Sequence, residues 1–335
     1  MKFLIIKLSS LGDVIHTLPI VYKLRQNYPH AQIDWLVGEK GYELLSLISE
    51  INNVYLLNLK NVFLIQKQNY DYVIDAQGLF KSAFLSRLSF GKTIIGFKNT
   101  REFGDLFYNK KINAGNLFKT DNHIVDLNLK LISDLTSDNN GVTKFLIPKI
   151  LKPHNEYILQ VTSNKNRKIV LFPSTTWESK LWNMDYWFEL ISKISNDFQI
   201  YVCASKSDLY FIKPLIDKLD SEEINYINLV GKTKIRDLIY LIQNVDLVIG
   251  LDSAGLHLTS AIKNDFGFPN VVGIFGPTSP KRSGPYGSIE KTLCLSDMEC
   301  IACRKKQCPL GHHKCMKDIS SFDVMKKVSL LFLNR

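Results

Sequence analysis

The chain of 335 residues has no long hydrophobic run. Its apolar stretches, such as residues 3–6 and 328–333, are far shorter than the ~20 residues that a membrane-spanning helix requires. We expect residues 1–7 to form a buried strand rather than a secretory leader, because no cleavage site follows them. With 45% hydrophobic and 22% charged residues, the composition is typical of a folded globular protein, and the length favours two domains.

Several catalytic signatures are also missing. The sequence contains no G-x-G-x-x-G dinucleotide fingerprint, no Walker A motif, no G-x-S-x-G nucleophile elbow and no H-E-x-x-H pair. A nicotinamide cofactor is therefore unsupported. No rival signature competes with the motifs described below.

Acidic residues are outnumbered. The chain carries 42 Lys and Arg against 32 Asp and Glu, which gives a net charge of +10. This balance favours an anionic partner, such as nucleic acid, an acidic membrane surface or a phosphorylated substrate, although a lysine-rich composition alone also produces it. Because the basic residues form no single arginine-rich stripe, we expect no specific nucleic-acid binding.

Cysteine is rare outside one segment. Five of the six cysteines lie between residues 294 and 315, and four of them follow a C-x2-C-x4-C-x6-C spacing: Cys300, Cys303, Cys308 and Cys315. The spacing is compact enough for a structural zinc site, although it lacks the second C-x-x-C pair of a standard zinc ribbon. Reduced thiols and disulfides are the alternatives.

Short apolar runs alternate with helical patterns along the whole chain, which predicts an α/β fold with parallel sheets. The pattern restarts after a polar stretch at residues 133–167. We therefore predict a first domain at residues 1–155 and a second at 156–320. Residues 321–335 are predicted to form a C-terminal helix that packs back on the first domain. Two doubly wound domains imply a cleft, with functional residues just after the strands.

The run KLSSLGD at residues 7–13 follows the first predicted strand. Ser9, Ser10 and Gly12 would bring backbone amides close to an anion at the start of the next helix. Asp13 has two interpretations. It is either the cap of that helix or a general base presented by the turn.

Three further strand ends in the second half carry polar residues. In FPSTTWESKLW at 172–182, Thr175, Thr176 and Lys180 either cradle a diphosphate or cap a surface loop. In DSAGLH at 252–257, Asp252 and Ser253 either cap a helix or bind sugar hydroxyls and phosphate, and His257 is either packed or functional. GPT at 276–278 ends another strand.

These motifs resemble, in order and over nearly the whole chain, those of the bacterial ADP-heptose:lipopolysaccharide heptosyltransferases. The run at residues 7–19 resembles the opening of that family, most closely heptosyltransferase I. Further matches are YVIDAQGL at 72–79, KS at 81–82, TRE at 100–102, LFYN at 106–109, STT at 174–176, KLW at 180–182, and the DSAGLH and GPT runs. One departure is the glycine of DSAGLH, which lies one position later than is usual in the family.

The resemblance implies a GT-B architecture, in which two Rossmann-like doubly wound domains face a central cleft. It implies an inverting transfer of L-glycero-D-manno-heptose from ADP-heptose to a Kdo residue of Kdo-lipid A, during assembly of the lipopolysaccharide inner core. It also implies a cytoplasmic enzyme that is peripheral to the inner membrane. The alternatives are heptosyltransferase II, a related transferase with another acceptor or nucleotide-sugar, and a nucleotide-sugar-binding protein without turnover.

The same resemblance assigns roles to individual residues. Asp13 would be the general base, and Lys180 would stabilise the departing ADP. The donor-binding set would be Thr175, Thr176, Lys180, Lys232, Thr233, Asp252, Ser253, Ala254, Gly255 and His257. The acceptor-binding set would be Ser9, Ser10, Gly12, Arg101 and His123. Asp208 is the nearest match to an acidic residue that reaches the ribose. The implied transfer requires no metal or other cofactor. The oligomeric state is not predicted.

Overall fold

The computed structural model describes residues 1–115, 117, 121–137, 141–163, 166–262 and 269–333. The chain folds into two units, Met1–Pro148 and Lys149–Arg335. The division lies within the predicted polar stretch, slightly before the predicted boundary at residue 155, and positions 138–140 and 164–165 of that stretch are outside the described residues. None of the helices in the described part of the chain combines the length and apolarity needed to cross a membrane.

The first unit is built on a parallel sheet of six strands. These are β1 (Lys2–Ile6), β2 (Gln32–Val37), β3 (Asn53–Leu56), β4 (Tyr72–Asp75), β5 (Thr93–Phe97) and β6 (Lys110–Ile112). The helices are α1 (Leu11–Thr17), α2 (Pro19–Asn27), α3 (Glu39–Ser46), α4 (Leu59–Gln66), α5 (Phe80–Leu88) and α6 (Ile124–Lys130). The strand order β3-β2-β1-β4-β5-β6 is that of a Rossmann sheet.

The helical pattern of apolar residues at 15–26 predicts a single helix, but the structure divides this stretch between α1 and α2. Pro19 is the first residue of α2. Proline lacks the N–H that would continue α1, and its fixed φ suits the first position of a new helix. The short α1 therefore stays at the carboxyl end of β1, where it carries Asp13.

The second unit repeats this arrangement. Its strands are β7 (Lys168–Phe172), β8 (Gln199–Val202), β9 (Ile227–Asn228), β10 (Leu247–Leu251), β11 (Asn270–Ile274) and β12 (Thr292–Leu293), in the order β12-β11-β10-β7-β8-β9. Its helices are α7 (Glu156–Thr162), α8 (Met184–Ile194), α9 (Leu209–Ser221), α10 (Ile235–Gln243), α11 (Ala254–Ala261), α12 (Pro280–Ser283), α13 (Lys314–Lys317) and α14 (Ser321–Leu333).

Two tryptophans anchor the core of the second unit. The rings of Trp182 and Trp187 meet edge to face with centroids 4.9 Å apart, and Trp182 donates its indole N–H to the Ile319 carbonyl at 2.7 Å. The C-terminal helix α14 contributes Val324 and Val328 to the same core and packs on α8. Its packing partner in the described structure is therefore the second unit.

In each sheet, the direction in which the chain adds successive strands reverses at one point in the strand order. In the first unit this point lies between β1 and β4, and in the second it lies between β7 and β10. Ligands of open α/β sheets bind outside the carboxyl ends of the strands at such points. The motifs predicted to be functional follow β1, β7 and β10 directly, so the fold places them where a ligand would bind.

Candidate active site

The centre of the second unit's site is the buried carboxylate of Asp252, the first residue after β10. Its Oδ2 lies 2.7 Å from Lys180 Nζ and accepts a hydrogen bond from Thr278 Oγ1 at 2.6 Å. Its Oδ1 lies 3.1 Å from His257 Nε2. Side chains from two loops and one helix therefore meet at a single carboxyl group.

The carboxyl group of Asp252 is held in its ionised form. Burial alone raises the pKa of Asp252, but the charge of Lys180 and the hydrogen bond from His257 outweigh it, so the pKa lies well below its ordinary value. The side chains of Asp252 and Lys180 are only 4% and 15% exposed. The pair is thus a buried ion pair, and removal of either partner leaves an uncompensated charge.

The loop after β7 presents Lys180 at the end of a short 3-10 turn, Glu178–Lys180. The ammonium of Lys180 lies 4.5 Å from the centroid of the Trp177 ring, a cation–π distance. Thr175 donates its hydroxyl hydrogen to the Asp252 carbonyl at 3.3 Å. The Lys180 ammonium donates to the same carbonyl at 3.5 Å. A carboxylate, a carbonyl and an aromatic face thus hold one cation beside the carboxyl end of the sheet.

The cysteine-rich segment, residues 294–315, is hydrogen-bonded to this loop. Ser179 donates its amide to the Lys306 carbonyl at 3.1 Å and its hydroxyl to the Lys305 carbonyl at 2.6 Å. The ring of His313 lies 2.6 Å from the Ser179 carbonyl. Arg304 donates its amide to the Pro277 carbonyl, so the same segment also holds the loop of Thr278. Its position indicates a structural role in orienting Lys180.

Helix α11 begins two residues after Asp252 and has no side-chain cap at its amino end. Ser253 is the N-cap residue, but its side chain makes no capping hydrogen bond. At Gly255, an added Cβ would lie 2.7 Å from the Phe172 ring, so only glycine lets α11 approach the end of β7 this closely. The helix amides and the Ser253 hydroxyl are arranged as in anion-binding helix termini.

In the first unit, Asp13 lies in the first turn of α1. Its Oδ2 accepts hydrogen bonds from the Ser10 amide at 2.9 Å and from the Ser10 hydroxyl at 2.8 Å, which forms a capping box. The structure therefore corrects the capping interpretation: the N-cap is Ser10, and Asp13 takes part in the capping box from the third helical position. The second interpretation, that Asp13 is a general base, stays a prediction. Asp13 is only partly buried and lies at the carboxyl end of β1.

The turn after β4 is hydrogen-bonded to the turn that precedes Asp13. Gln77 accepts hydrogen bonds from the amides of Leu8 and Ser9, both at 3.1 Å. The fully buried Asp75 orders the Gln77 turn through the amides of Gln77 and Gly78 and the hydroxyls of Ser82 and Tyr108. Burial raises the pKa of Asp75, whereas these hydrogen bonds lower it.

The remaining predicted residues have simpler surroundings. Lys232 lies after β9 and donates to the carbonyl of Asn228, the last residue of that strand, at 2.9 Å, with Thr233 beside it. Asp208 accepts from the Ser174 hydroxyl at 3.1 Å. His123 is buried and accepts from the Val125 amide, so it caps α6, whereas Arg101 is exposed. The predicted ligand roles of these residues stay predictions, as do those of Thr176 and Ala254.

The four spaced cysteines lie close enough for their charges to interact. Burial, reinforced by the thiols of Cys303, Cys308 and Cys300, raises the pKa of Cys315 to about 11. Backbone amides, that of His313 foremost, lower the pKa of Cys308. Within the described ranges, however, no three His, Cys, Asp or Glu side chains come together in an arrangement for a metal ion. The described geometry therefore does not contain the zinc site that the cysteine spacing allowed.

Sequence reasoning assigned no role to several residues that shape the site. Thr278, Asp75 and Gln77 lie within runs that carried the family resemblance, and each follows or ends a strand, so their positions were a usable signal. Trp177 and the backbone contacts of residues 304–313 depend on how distant loops fold together. No local pattern in the sequence shows such contacts.

The two doubly wound sheets place the chain in the GT-B fold class of glycosyltransferases. A solved structure of the Escherichia coli heptosyltransferase WaaC with ADP has a similar fold, with a TM-score of 0.74, 23% identity, and coverage of 99% of this chain and 100% of that chain.

Residues 64–314 match glycosyltransferase family 9 (heptosyltransferase). The chain is 27% identical over 341 residues to lipooligosaccharide heptosyltransferase 2 of Campylobacter jejuni, covering 100% of this chain and 99% of that protein. It is 26% identical to lipopolysaccharide heptosyltransferase 1 of Escherichia coli, covering 96% and 100%. The chain therefore belongs to glycosyltransferase family 9, and the predicted heptosyltransferase family is confirmed.

Proposed function

We propose that the protein transfers L-glycero-D-manno-heptose from ADP-heptose to a Kdo residue of Kdo-lipid A, in assembly of the lipopolysaccharide core. The observation that carries the donor half is the convergence of Lys180, Thr278 and His257 on Asp252, next to the open start of α11. A fixed cation and an uncapped helix end suit a diphosphate that becomes more negative as it leaves. The related WaaC structure was solved with ADP.

In the proposed reaction, a hydroxyl oxygen of the acceptor attacks the anomeric carbon of the heptose while the bond from that carbon to ADP breaks. ADP leaves with the bonding electrons, and the anomeric centre inverts. Asp13 accepts the proton of the attacking hydroxyl. The hydrogen bonds from the Ser10 amide and hydroxyl hold its carboxylate in place.

Lys180 has the complementary role. Its ammonium contacts Asp252, at the carboxyl ends of the neighbouring strands β7 and β10, after which Thr175, Thr176 and Ser253 carry hydroxyls. Charge that develops on the leaving phosphate would be stabilised by this preorganised cation, with no reorganisation needed during the reaction. Asp252 keeps the ammonium in place and is the proposed partner of the heptose hydroxyls. No metal ion has a step in this mechanism.

A second-heptose acceptor is the other candidate. The Campylobacter jejuni relative is named heptosyltransferase 2, and the Escherichia coli relative of nearly equal identity is named heptosyltransferase 1. The run at residues 7–19 favours the first type. The cytoplasmic face of the inner membrane is the proposed location, since the proposed acceptor is lipid-linked.

Mass spectrometry of the transfer product tests this assignment. The full chain is incubated with ADP-heptose and either Kdo-lipid A or Kdo-lipid A that already carries one heptose. We expect Kdo-lipid A to gain the mass of one heptose. A gain only on the heptose-bearing acceptor would reassign the protein to second-heptose transfer. ADP binding without transfer to either acceptor would contradict both assignments.

A further inference from the structure

The first unit exposes an unusual number of large apolar side chains on three adjoining elements. These elements are α4, α5 and the 3-10 turns of Arg101–Phe107, and α5 packs against both of the others. We call the surface they form the aromatic face; its side chains are between 45% and 79% exposed: Leu59, Phe63, Phe80, Phe84, Phe103 and Leu106. Exposed apolar groups that cluster in this way mark an interaction surface rather than ordinary scatter.

The aromatic face is ordered by its own packing. Phe80 and Phe84 lie four residues apart on α5, with nearly parallel rings whose centroids are 6.4 Å apart. Both rings meet Phe107 edge to face, at 5.4 and 6.0 Å. Glu102 ties the turns to α5 by accepting the Phe80 amide at 3.2 Å. The rings therefore form a preformed platform, which needs little rearrangement to bind a partner.

The border of the aromatic face is basic. Exposed cationic residues lie on or directly beside the same elements: Lys60, Lys67, Lys81, Arg87, Lys98 and Arg101. The acidic residues of the turns are engaged, since Glu102 accepts the Phe80 amide and Asp105 pairs with Lys111 at 3.8 Å. Another pair, Lys92 with Asp71, lies before β4 and β5, at the opposite edge of the sheet. Aromatic rings bordered by lysine and arginine match the interface of an anionic bilayer.

The location of the aromatic face relates it to the candidate base. Its three elements follow β3, β4 and β5, so all begin at the carboxyl edge of the sheet, where the Asp13 turn follows β1. The loop between β4 and α5 contains Gln77, which binds the amides of Leu8 and Ser9. A surface held on the aromatic face would thus lie at the edge of the sheet that carries Asp13.

We propose that the aromatic face docks the protein on an anionic lipid bilayer, with the phenylalanines in the interface and the basic border on the headgroups. This proposal rests on the proposed function for the identity of the acceptor but not for the binding itself. Docking would bring the Asp13 turn to a headgroup-linked acceptor without a membrane-spanning helix.

Vesicle flotation of the full chain tests the proposal. The probes are vesicles of phosphatidylethanolamine with phosphatidylglycerol and, for comparison, neutral phosphatidylcholine vesicles. We expect preferential binding to the anionic vesicles that weakens as salt increases. The double variant Phe80→Ser/Phe84→Ser should bind about tenfold more weakly because two interfacial rings are lost. Lys60→Gln/Lys81→Gln should weaken binding by about fivefold per charge.

The matched control is Phe322→Ser, which removes a ring that is 69% exposed on α14 of the second unit. It should bind like the unchanged protein, and thermal unfolding should show every variant folded. Equal binding by the Phe80→Ser/Phe84→Ser variant, or no preference for anionic vesicles, would overturn the proposal. A dimer that these two substitutions dissociate, without vesicle binding, would identify the face as a self-interface and would also overturn it.

Transfer assays separate this proposal from the proposed function. With acceptor in vesicles, the Phe80→Ser/Phe84→Ser variant should lose most of its transfer, whereas with detergent-dispersed acceptor it should act like the unchanged protein. If no acceptor is glycosylated, the proposed function fails while the flotation result still decides the docking. If transfer proceeds but flotation shows no binding, only the docking fails.

Discussion

The two units carry similar sheets but hold their key carboxylates in different ways. Asp252 is contacted by side chains from two loops and one helix, and its stabilisation requires the second unit to be folded. Asp13 is held within its own helical turn by Ser10. When distant segments hold a carboxylate, a substitution there changes both activity and the stability of the whole unit. When one turn holds it, activity can change with little effect on stability. Substitutions in the two units should therefore have different signatures.

Lys180→Met should have the largest effect in the second unit. Loss of the cation that faces the leaving phosphate should reduce kcat about 10²–10³-fold, the scale of removing one electrostatic stabiliser of the transition state. ADP affinity, measured by calorimetry, should fall as well. The control is Lys213→Met, because Lys213 pairs with Asp217 on the exposed face of α9 and the substitution should not affect either quantity. Unchanged rate and affinity in Lys180→Met would remove Lys180 from the site.

Asp252→Asn should destabilise the second unit, because the Lys180 ammonium would be buried without its partner. We expect a loss of about 3–5 kcal/mol in the free energy of unfolding at pH 7, measured by urea titration. The exposed pair provides the control, since Asp217→Asn should cost less than about 1 kcal/mol.

The pH dependence of the same variant has a definite sign. Because the pKa of Asp252 is lowered on folding, its contribution is fully present above the ordinary value of 3.8 and is lost as the pH falls below it. The unchanged protein should therefore exceed Asp252→Asn in free energy of unfolding by less at pH 3 than at pH 7. An advantage that stays constant or increases in acid would show that the ion pair is not its source.

Ser10→Ala should have the smallest effect, which is local to the first unit. Loss of the hydroxyl that binds Asp13 should cost about 1 kcal/mol of unfolding free energy, the usual value of a helix cap, and should leave ADP affinity unchanged. Ser9→Ala is the matched control, since the contact that Ser9 makes with Gln77 uses its backbone. Equal destabilisation by both variants would contradict the capping geometry.

Much of the fold could be predicted from the sequence because strands of a parallel sheet are buried on both faces. The runs that become β1, β2, β4, β7 and β10 are nearly continuous in apolar residues, which makes them visible without tertiary information. The short edge strands β6 and β12 lack this signal, since their residues are only partly buried. The break between α1 and α2 depends on one proline whose effect a periodicity alone does not register.

The candidate site was predictable where function and strand ends coincide. Asp13, Lys180 and Asp252 each follow a strand, so position in the pattern was enough to single them out. The pairing of Lys180 with Asp252 was not predictable, because it joins residues 72 positions apart through folding of the second sheet. The bracing of Ser179 by the cysteine-rich segment joins residues more than 120 positions apart and was missed for the same reason.

The most direct test of the proposed mechanism compares the unchanged protein with Asp13→Asn in transfer from ADP-heptose to Kdo-lipid A. The amide keeps the size of the side chain but accepts no proton, so kcat should fall about 100-fold or more. Calorimetry should show unchanged ADP affinity, because the proposed donor site lies in the second unit. Transfer at a similar rate by both proteins would remove Asp13 as the base and contradict the mechanism.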